Sequence, residues 1–295
     1  MNFLKAFFGG TSSQPEEEKK QAEARNFDIL KYDGKRALQT GQFDYAIQCF
    51  RKALEMKDDL EVHDYLSQAL IHHNELEAAC EELQVLATAQ PDNVQIQQRM
   101  AHVFYLMDEY GRMLATCEKA LQLAPEMPEL YYLAARAYIG QANDLNAVAL
   151  LTKALALKED YYDANLLRGE TLLRMGDVAG AEADAYLLMS RVPDNEDILM
   201  LKAQVMERRE EHAEALALYN KVVDVNPFRV DAFRERGAVK MAMGDKEGAA
   251  ADMRMVLELN PAEAEAVNGD YTAEGREDIQ RRMEQAYKRN NPYGF

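Results

Sequence analysis

The sequence contains no tryptophan, only eight prolines and 15 glycines in 295 residues. So little Gly and Pro argues against a fold of many short strands and tight turns, and against low-complexity disorder. Cysteine is scarce too: Cys49, Cys80 and Cys117 form no CxxC pair. A disulfide scaffold, a zinc ribbon and a thioredoxin-type motif are thereby excluded, and each thiol is expected to act as a small hydrophobe in a reducing compartment. No stretch approaches the ~20 apolar residues that a membrane-spanning helix needs. The apolar residues 1–8 are interrupted by Lys5 and followed by no cleavage pattern, so they do not read as an export signal. A cytoplasmic location is the expectation. Basic charge is short as well, 34 Lys and Arg against 51 Asp and Glu, for a net charge of −17. Such a surface repels phosphate backbones, which makes nucleic acid a poor partner.

What the chain does have is a beat. Pro91, Pro125, Pro193, Pro227 and Pro261 recur at spacings of 34, 68, 34 and 34 residues. Each lies between two helical apolar patterns, where proline ends one helix or begins the next. Units opening at Leu60, Val94, Pro128, Tyr162, Glu196 and Val230 keep the same period, and a first one, a residue shorter, opens near Phe27. Their eighth positions are Gly34, Ser67, Ala101, Ala135, Gly169, Ala203 and Gly237. Their twentieth positions are Ala46, Ala79, Met113, Ala147, Ala181, Ala215 and Ala249. Small residues on facing sides let two helices of a hairpin approach closely. Thr40-Gly41-Gln42, Met175-Gly176-Asp177 and Met243-Gly244-Asp245 mark the turn between them, with glycine where a helix C-terminal cap requires it. The fourth unit has Asp144 where a bulky residue is expected, which predicts a shifted turn; Lys240 and Lys246 occupy usually apolar rows of the last unit. That unit is expected to pack loosely, or its lysines to snorkel past a capping helix.

Gly or Ala at position eight, Ala at twenty, an aliphatic or Ala at twenty-seven and Pro at thirty-two resemble the tetratricopeptide repeat family; residues 41–54, Gly-Gln-Phe-Asp-Tyr-Ala-Ile-Gln-Cys-Phe-Arg-Lys-Ala-Leu, carry the clearest copy. The resemblance covers residues 27–263 as seven units: 27–59, 60–93, 94–127, 128–161, 162–195, 196–229 and 230–263. It implies an all-α fold, a right-handed α-α superhelix or solenoid of about seven 34-residue helix-turn-helix repeats. It also implies a non-catalytic scaffold or adaptor that takes a peptide, helix or domain of another protein in its concave groove.

The flanks divide further. Residues 1–15 form an apolar segment and linker, and residues 16–26 a charged helical lead-in. Residues 264–295 hold a capping helix and tail, with Ile279, Met283, Ala286 and Tyr287 at helical spacing. Phe3, Leu4, Phe7 and Phe8 would form one apolar patch if helical. They support an alternative function, a membrane-peripheral assembly factor tethered by that aromatic segment.

In the family, the first helices line the concave side, and the resemblance implies binding through their positions two, five, nine, twelve and thirteen. Those rows supply the candidate groove Gln98, His102, Tyr105, Tyr132, Arg136, Ile139, Leu166, Glu170, Leu173 and Met200. Apolar anchors beside a few polar groups suit a peptide or helix. Of the family's carboxylate clamp only Lys31 and Arg99 match, leaving a loose acidic-peptide site near Lys31 and Lys35. No catalytic, metal or cofactor residues are expected: the five histidines form no HExxH, and GxxxxGK[ST], a dinucleotide-binding glycine run and GxSxG are all absent.

Overall fold

A computed structural model describes residues 14–261 as fourteen helices in seven hairpins, with no strand among them. Two compact units divide the chain, Met1–Leu157 and Lys158–Phe295. The first holds α1 (Gln14–Gln39) with α2 (Phe43–Met56), α3 (Leu60–His72) with α4 (Leu76–Ala89), α5 (Val94–Leu106) with α6 (Tyr110–Leu123), and α7 (Pro128–Gly140) with α8 (Asp144–Leu157). The second holds α9 (Tyr162–Met175) with α10 (Val178–Arg191), α11 (Glu196–Arg208) with α12 (His212–Val225), and α13 (Val230–Ala242) with α14 (Lys246–Leu259). Residues 1–8 with their aromatic patch, and the capping helix expected within 264–295, lie outside the described residues.

Local chemistry sets the helix starts. The Asp59 carboxylate accepts the N–H groups of Glu61 and Val62 at 3.1 and 3.2 Å, and Asn195 does the same for Asp197 and Ile198 at 3.0 and 3.1 Å. These side chains satisfy donors that the first turn of a helix leaves without an intrahelical partner. At α7, Pro128 opens the helix instead, where its missing N–H costs nothing. The charged residues ahead of Phe27 run into the first hairpin as one unbroken helix, α1.

Every hairpin turns the same way. One residue between the helices takes a left-handed conformation: Gly41, Gly176 and Gly244 at φ of 74°, 87° and 85°, but also Asn74, Asp108, Ala142 and Glu210 at 63°, 56°, 56° and 63°. The next residue's N–H then reaches back five residues. The bonds Gln42 to Ala37, Asn143 to Tyr138 and Asp245 to Lys240 measure 2.9, 2.8 and 2.9 Å, and the other four hairpins repeat them. This is the Schellman closure of a helix end. It also corrects the shifted turn expected at Asp144. Ala142 adopts the left-handed conformation, α8 starts at Asp144 in register, and Leu145 is simply left 72 % exposed.

Small residues bring the two helices together. Ala46, Ala79, Met113, Ala147, Ala181 and Ala215 are wholly buried, and Ala249 is 6 % exposed. Opposite them, a Cβ added to Gly34 would lie 2.6 Å from the Phe50 ring, and one added to Gly169 would lie 3.3 Å from the Asp184 Cβ. Large groups such as Phe50, Leu83, Leu151 and Tyr219 fill the space beside this seam and are fully buried. Each stabilises the stack by roughly 1.5–3 kcal/mol. The corresponding residue of the last hairpin, Met253, is 49 % exposed, since no later hairpin covers it among the described residues.

Polar pairs replace apolar ones at some core rows. In the hairpin of α9 and α10, Arg168 bonds Asp184 through Nε and Nη2 at 2.9 and 2.6 Å, and Asn165 adds a bond at 3.2 Å. In the hairpin of α13 and α14, Arg236 grips Asp252 in the same way at 2.9 and 2.6 Å, and Lys240 joins at 2.8 Å. Lys240 therefore pairs inside its own hairpin with a carboxylate 3 % exposed, while Lys246 stays on the surface.

The turn chemistry gives a direct test. A left-handed conformation costs an L residue roughly 1–2 kcal/mol, against about 0.5–1 kcal/mol for glycine's extra backbone entropy. Ala142→Gly is expected to stabilise the protein by about 0.5–1 kcal/mol and Gly176→Ala to destabilise it by a similar amount, both read from thermal unfolding.

Candidate functional site

First helices of successive hairpins touch within each unit, α1 with α3 and α5 with α7 in the first and α9 with α11 in the second. Their shared face is where the candidate residues fall. Gln98, His102 and Tyr105 stand on α5, and Tyr132, Arg136 and Ile139 stand on α7. Leu166, Glu170 and Leu173 on α9 and Met200 on α11 belong to the second unit.

In the first unit some of these groups meet. The Arg136 guanidinium lies over the Tyr105 ring, 3.7 Å from its centre, and 5.8 Å from the centre of Tyr132. Tyr105 in turn packs edge-on against Tyr110, with ring centres 6.2 Å apart. The rings hold the guanidinium flat by cation–π attraction, worth about 0.5–2 kcal/mol. Stacking leaves the guanidinium's edge N–H groups free, and among the described residues no carboxylate pairs with Arg136. His102 stands exposed one turn away on α5. The protein packed around it and the Arg136 charge both hold its pKa below the ordinary 6.5. It is therefore neutral at pH 7 and able to donate or accept. Gln98 rests its amide 3.5 Å from the Met127 sulfur. Ile139 is half-buried.

The second unit corrects part of the set. Leu173 and Met200 are 5 % and 3 % exposed and belong to the hydrophobic core around α9 to α12, so neither offers a surface to a partner. Positions twelve and five are expected on the open face, but the neighbouring first helices close over them. Leu166 is half-buried against the same core, and Glu170 stays exposed. Glu170 lines a small cavity of about 280 Å³ with Arg174, Gln204, Glu207 and Arg208. Burial of its surroundings and the Asp197 charge raise its carboxyl above the usual range.

Lys31 and Lys35 do not form an open clamp. The Lys31 ammonium is 3.0 Å from Asp59 and 2.7 Å from Glu61, and Lys35 sits 5.0 Å over the Tyr65 ring. Asp64 and Arg99 pair with each other. This end of the face is neutralised by its own side chains, so the apolar, cation-bearing stretch on α5 and α7 stands out.

Another feature escaped the sequence reading. A trench of about 820 Å³ lies along α4, with Leu60 of α3, Met100 of α5 and Arg112 of α6 beside Cys80 and Met107 in its lining. Its signal was faint: Gln84, Val85, Thr88 and Ala89 are exposed on α4 and none is charged. Cys49 and Cys117 are buried free thiols, and burial pushes Cys117 up to about 12. No group of three or more His, Cys, Asp or Glu among the described residues could hold a metal ion. No described helix is long and apolar enough to cross a membrane.

Comparison with known families agrees with this architecture. Models described as tetratricopeptide repeats match residues 34–94 and 200–264, and residues 128–161. The chain belongs to the tetratricopeptide repeat family. Comparison with curated proteins finds no match. Among solved structures, this repeat protein is similar to a tetratricopeptide repeat protein from Parabacteroides merdae, at 18 % identity and a TM-score of 0.68 over 86 % of this chain and 97 % of that one. It is also similar to PilW, a type IV pilus biogenesis factor, at 17 % identity and TM-score 0.60 over 75 % and 98 %. A third is YrrB, described as having an unusual peptide-binding site, at 19 % identity and TM-score 0.51 over 62 % and 94 %. Identities this low carry the fold and nothing finer.

Two histidines of the repeat protein should titrate in opposite directions. His63 is partly buried, which lowers its pKa, but bonds to Glu82 and to Asp58, the latter at 2.9 Å, outweigh burial and raise it above 6.5. Its contribution to stability is complete below 6.5 and lost as pH rises through the folded value. His102 is depressed, so its contribution is present above 6.5 and lost as pH falls through the folded value. NMR titration is expected to place the two on either side of 6.5, and Arg136→Gln to move His102 upward while leaving His63 in place.

Proposed function

We propose that this protein is a non-catalytic interaction scaffold whose first unit takes a segment of another protein across the groove face of α5 and α7. The observation that carries the reading is the Arg136 guanidinium stacked 3.7 Å over Tyr105, beside Tyr132 and, among the described residues, without a carboxylate paired to it. Membership of the repeat family supports protein binding in general. YrrB, a similar fold described as having a peptide-binding site, points the same way.

The chemistry of the cluster selects its ligand. Tyrosine rings offer broad apolar area at a low entropy cost, because each has only two side-chain torsions to fix. A planar guanidinium already fixed by stacking loses little freedom when it binds a carboxylate through two N–H groups. The segment recognised therefore carries an Asp, Glu or terminal carboxylate next to an aliphatic or aromatic side chain. Net charge of −17 opposes such a ligand at long range, yet physiological salt screens beyond about 8 Å, so the local cation governs contact.

Peptides selected from a random display library on the full chain should share that pairing of carboxylate and apolar residue. Arg136→Gln is expected to weaken the selected peptides about tenfold to a hundredfold, or 1.4–2.8 kcal/mol, by titration calorimetry. Tyr132→Glu should abolish their binding with helicity unchanged. Peptides that bind both variants as they bind the parent would remove the site from this face.

A further inference from the structure

The trench along α4 is lined by none of the residues used above, and it is built differently. Met100 and Met107 line it, and the Cys80 sulfur lies 4.0 Å from that of Met107. Val85 and Leu60, 40 % and 38 % exposed, face it as apolar walls. Asp58, Glu77 and Glu81 border it with negative charge. Arg112 borders it as well, but its guanidinium sits 4.2 Å from the centre of the Phe104 ring and bonds Glu109 at 2.6 Å. The trench is thus apolar, adaptable and acidic at its edge.

We propose that residues 3–8 of the same chain fill this trench, with Phe3, Leu4, Phe7 and Phe8 against the methionines and Val85, and Lys5 meeting the acidic border. Methionine walls suit aromatic rings, because the thioether makes favourable contacts at ring edges and adapts its shape to the guest. A site of ~300–1,000 Å³ is the size class that encloses a compact apolar ligand, and 820 Å³ falls within it.

The chain ahead of Phe27 is long enough to turn back toward the array. Phe27 enters the array beside Lys57, 5.0 Å from its ammonium, and Lys31 bonds Asp59 at 3.0 Å. Asp58 and Leu60, the residues on either side of Asp59, line the near end of the trench. From Phe27 back to Gln14 is roughly 20 Å along the helix axis. Beyond Gln14, extended chain carries Phe8 up to roughly 20 Å and Phe3 roughly 37 Å. Gly9-Gly10-Thr11-Ser12-Ser13 supplies a composition that permits the reversal of direction. Docking hides four large apolar groups that would otherwise face water or an unintended surface.

Cys80 is a built-in reporter, since it is half-buried in the trench while Cys49 and Cys117 are 3 % and 0 % exposed. Its labelling by a small disulfide reagent would be timed at about pH 9, because burial raises the thiol's pKa. The full chain would be compared with a chain lacking residues 1–12 and with a full-length Phe7→Glu, Phe8→Glu variant, all of matched helicity. Both changes are expected to speed labelling about tenfold. A synthetic peptide of residues 1–12 should slow the truncated chain again. Equal rates in all three proteins would overturn the proposal. Protection that rises with protein concentration would also overturn it, by placing the segment in a second copy. So would a full chain that floats with anionic vesicles and labels as fast as the truncated one, which puts the segment on a membrane surface.

Discussion

Close approach of two helices within each hairpin is the constraint on which the rest of the structure depends. Helix axes come near only where side chains almost vanish, and the buried alanines from Ala46 to Ala249 stand at that seam. The turn has to cooperate, because a hairpin of fixed depth returns in register only if its first helix ends in the same way each time. A left-handed residue and a bond back over five residues supply that ending in all seven hairpins. Glycine meets the requirement at no cost in three of them. Asn74, Asp108, Ala142 and Glu210 meet it under strain, held by the packing on either side.

Once the seam is fixed, the side chains divide by direction. Within each unit, large apolar groups beside the seam close one hairpin onto the next. The row facing the second helix holds either apolar groups or charges caged in pairs, as at Asp184 and Asp252. A caged carboxylate of this kind is a poor surface feature and a firm internal one, because removing either partner strands the other away from water. Residues pointing away from the seam are released from packing, and those are the ones that can differ from hairpin to hairpin. Arg136 on its tyrosines and the apolar trench by Cys80 both arise on such released faces. They share no lining residue, so a single stack offers two surfaces of unlike chemistry.

Much of this architecture was legible in the sequence because its cause is periodic. Alanine at Ala147 and Ala181, or glycine at Gly34 and Gly169, carries the same meaning in every copy, and agreement across copies identified the family and the all-α fold. Where a unit departed from the pattern, the sequence misled. Asp144 suggested a displaced turn, yet Ala142 takes a conformation its own chemistry disfavours and α8 starts in register. Lys240 suggested loose packing, yet Asp252 sat sixteen residues after Arg236 to receive both cations. At Asp252 a contact distant along the chain overrode a local preference.

Helical period, the small-residue seam, the hairpin turn and the membership of a repeat family follow from the sequence by itself, since each depends on residues within a single unit of 34. Availability of a side chain to a partner does not. Arg136 meets Tyr105 and Tyr132 on half-buried surface, while Leu173 and Met200, at equivalent rows, are closed into the core. The difference depends on how far each first helix is rotated against the next, an angle set by the summed shapes of the side chains between them. The same sum left the trench open beside α4. Such quantities belong to packed neighbours rather than to any residue, so only the tertiary structure could decide them.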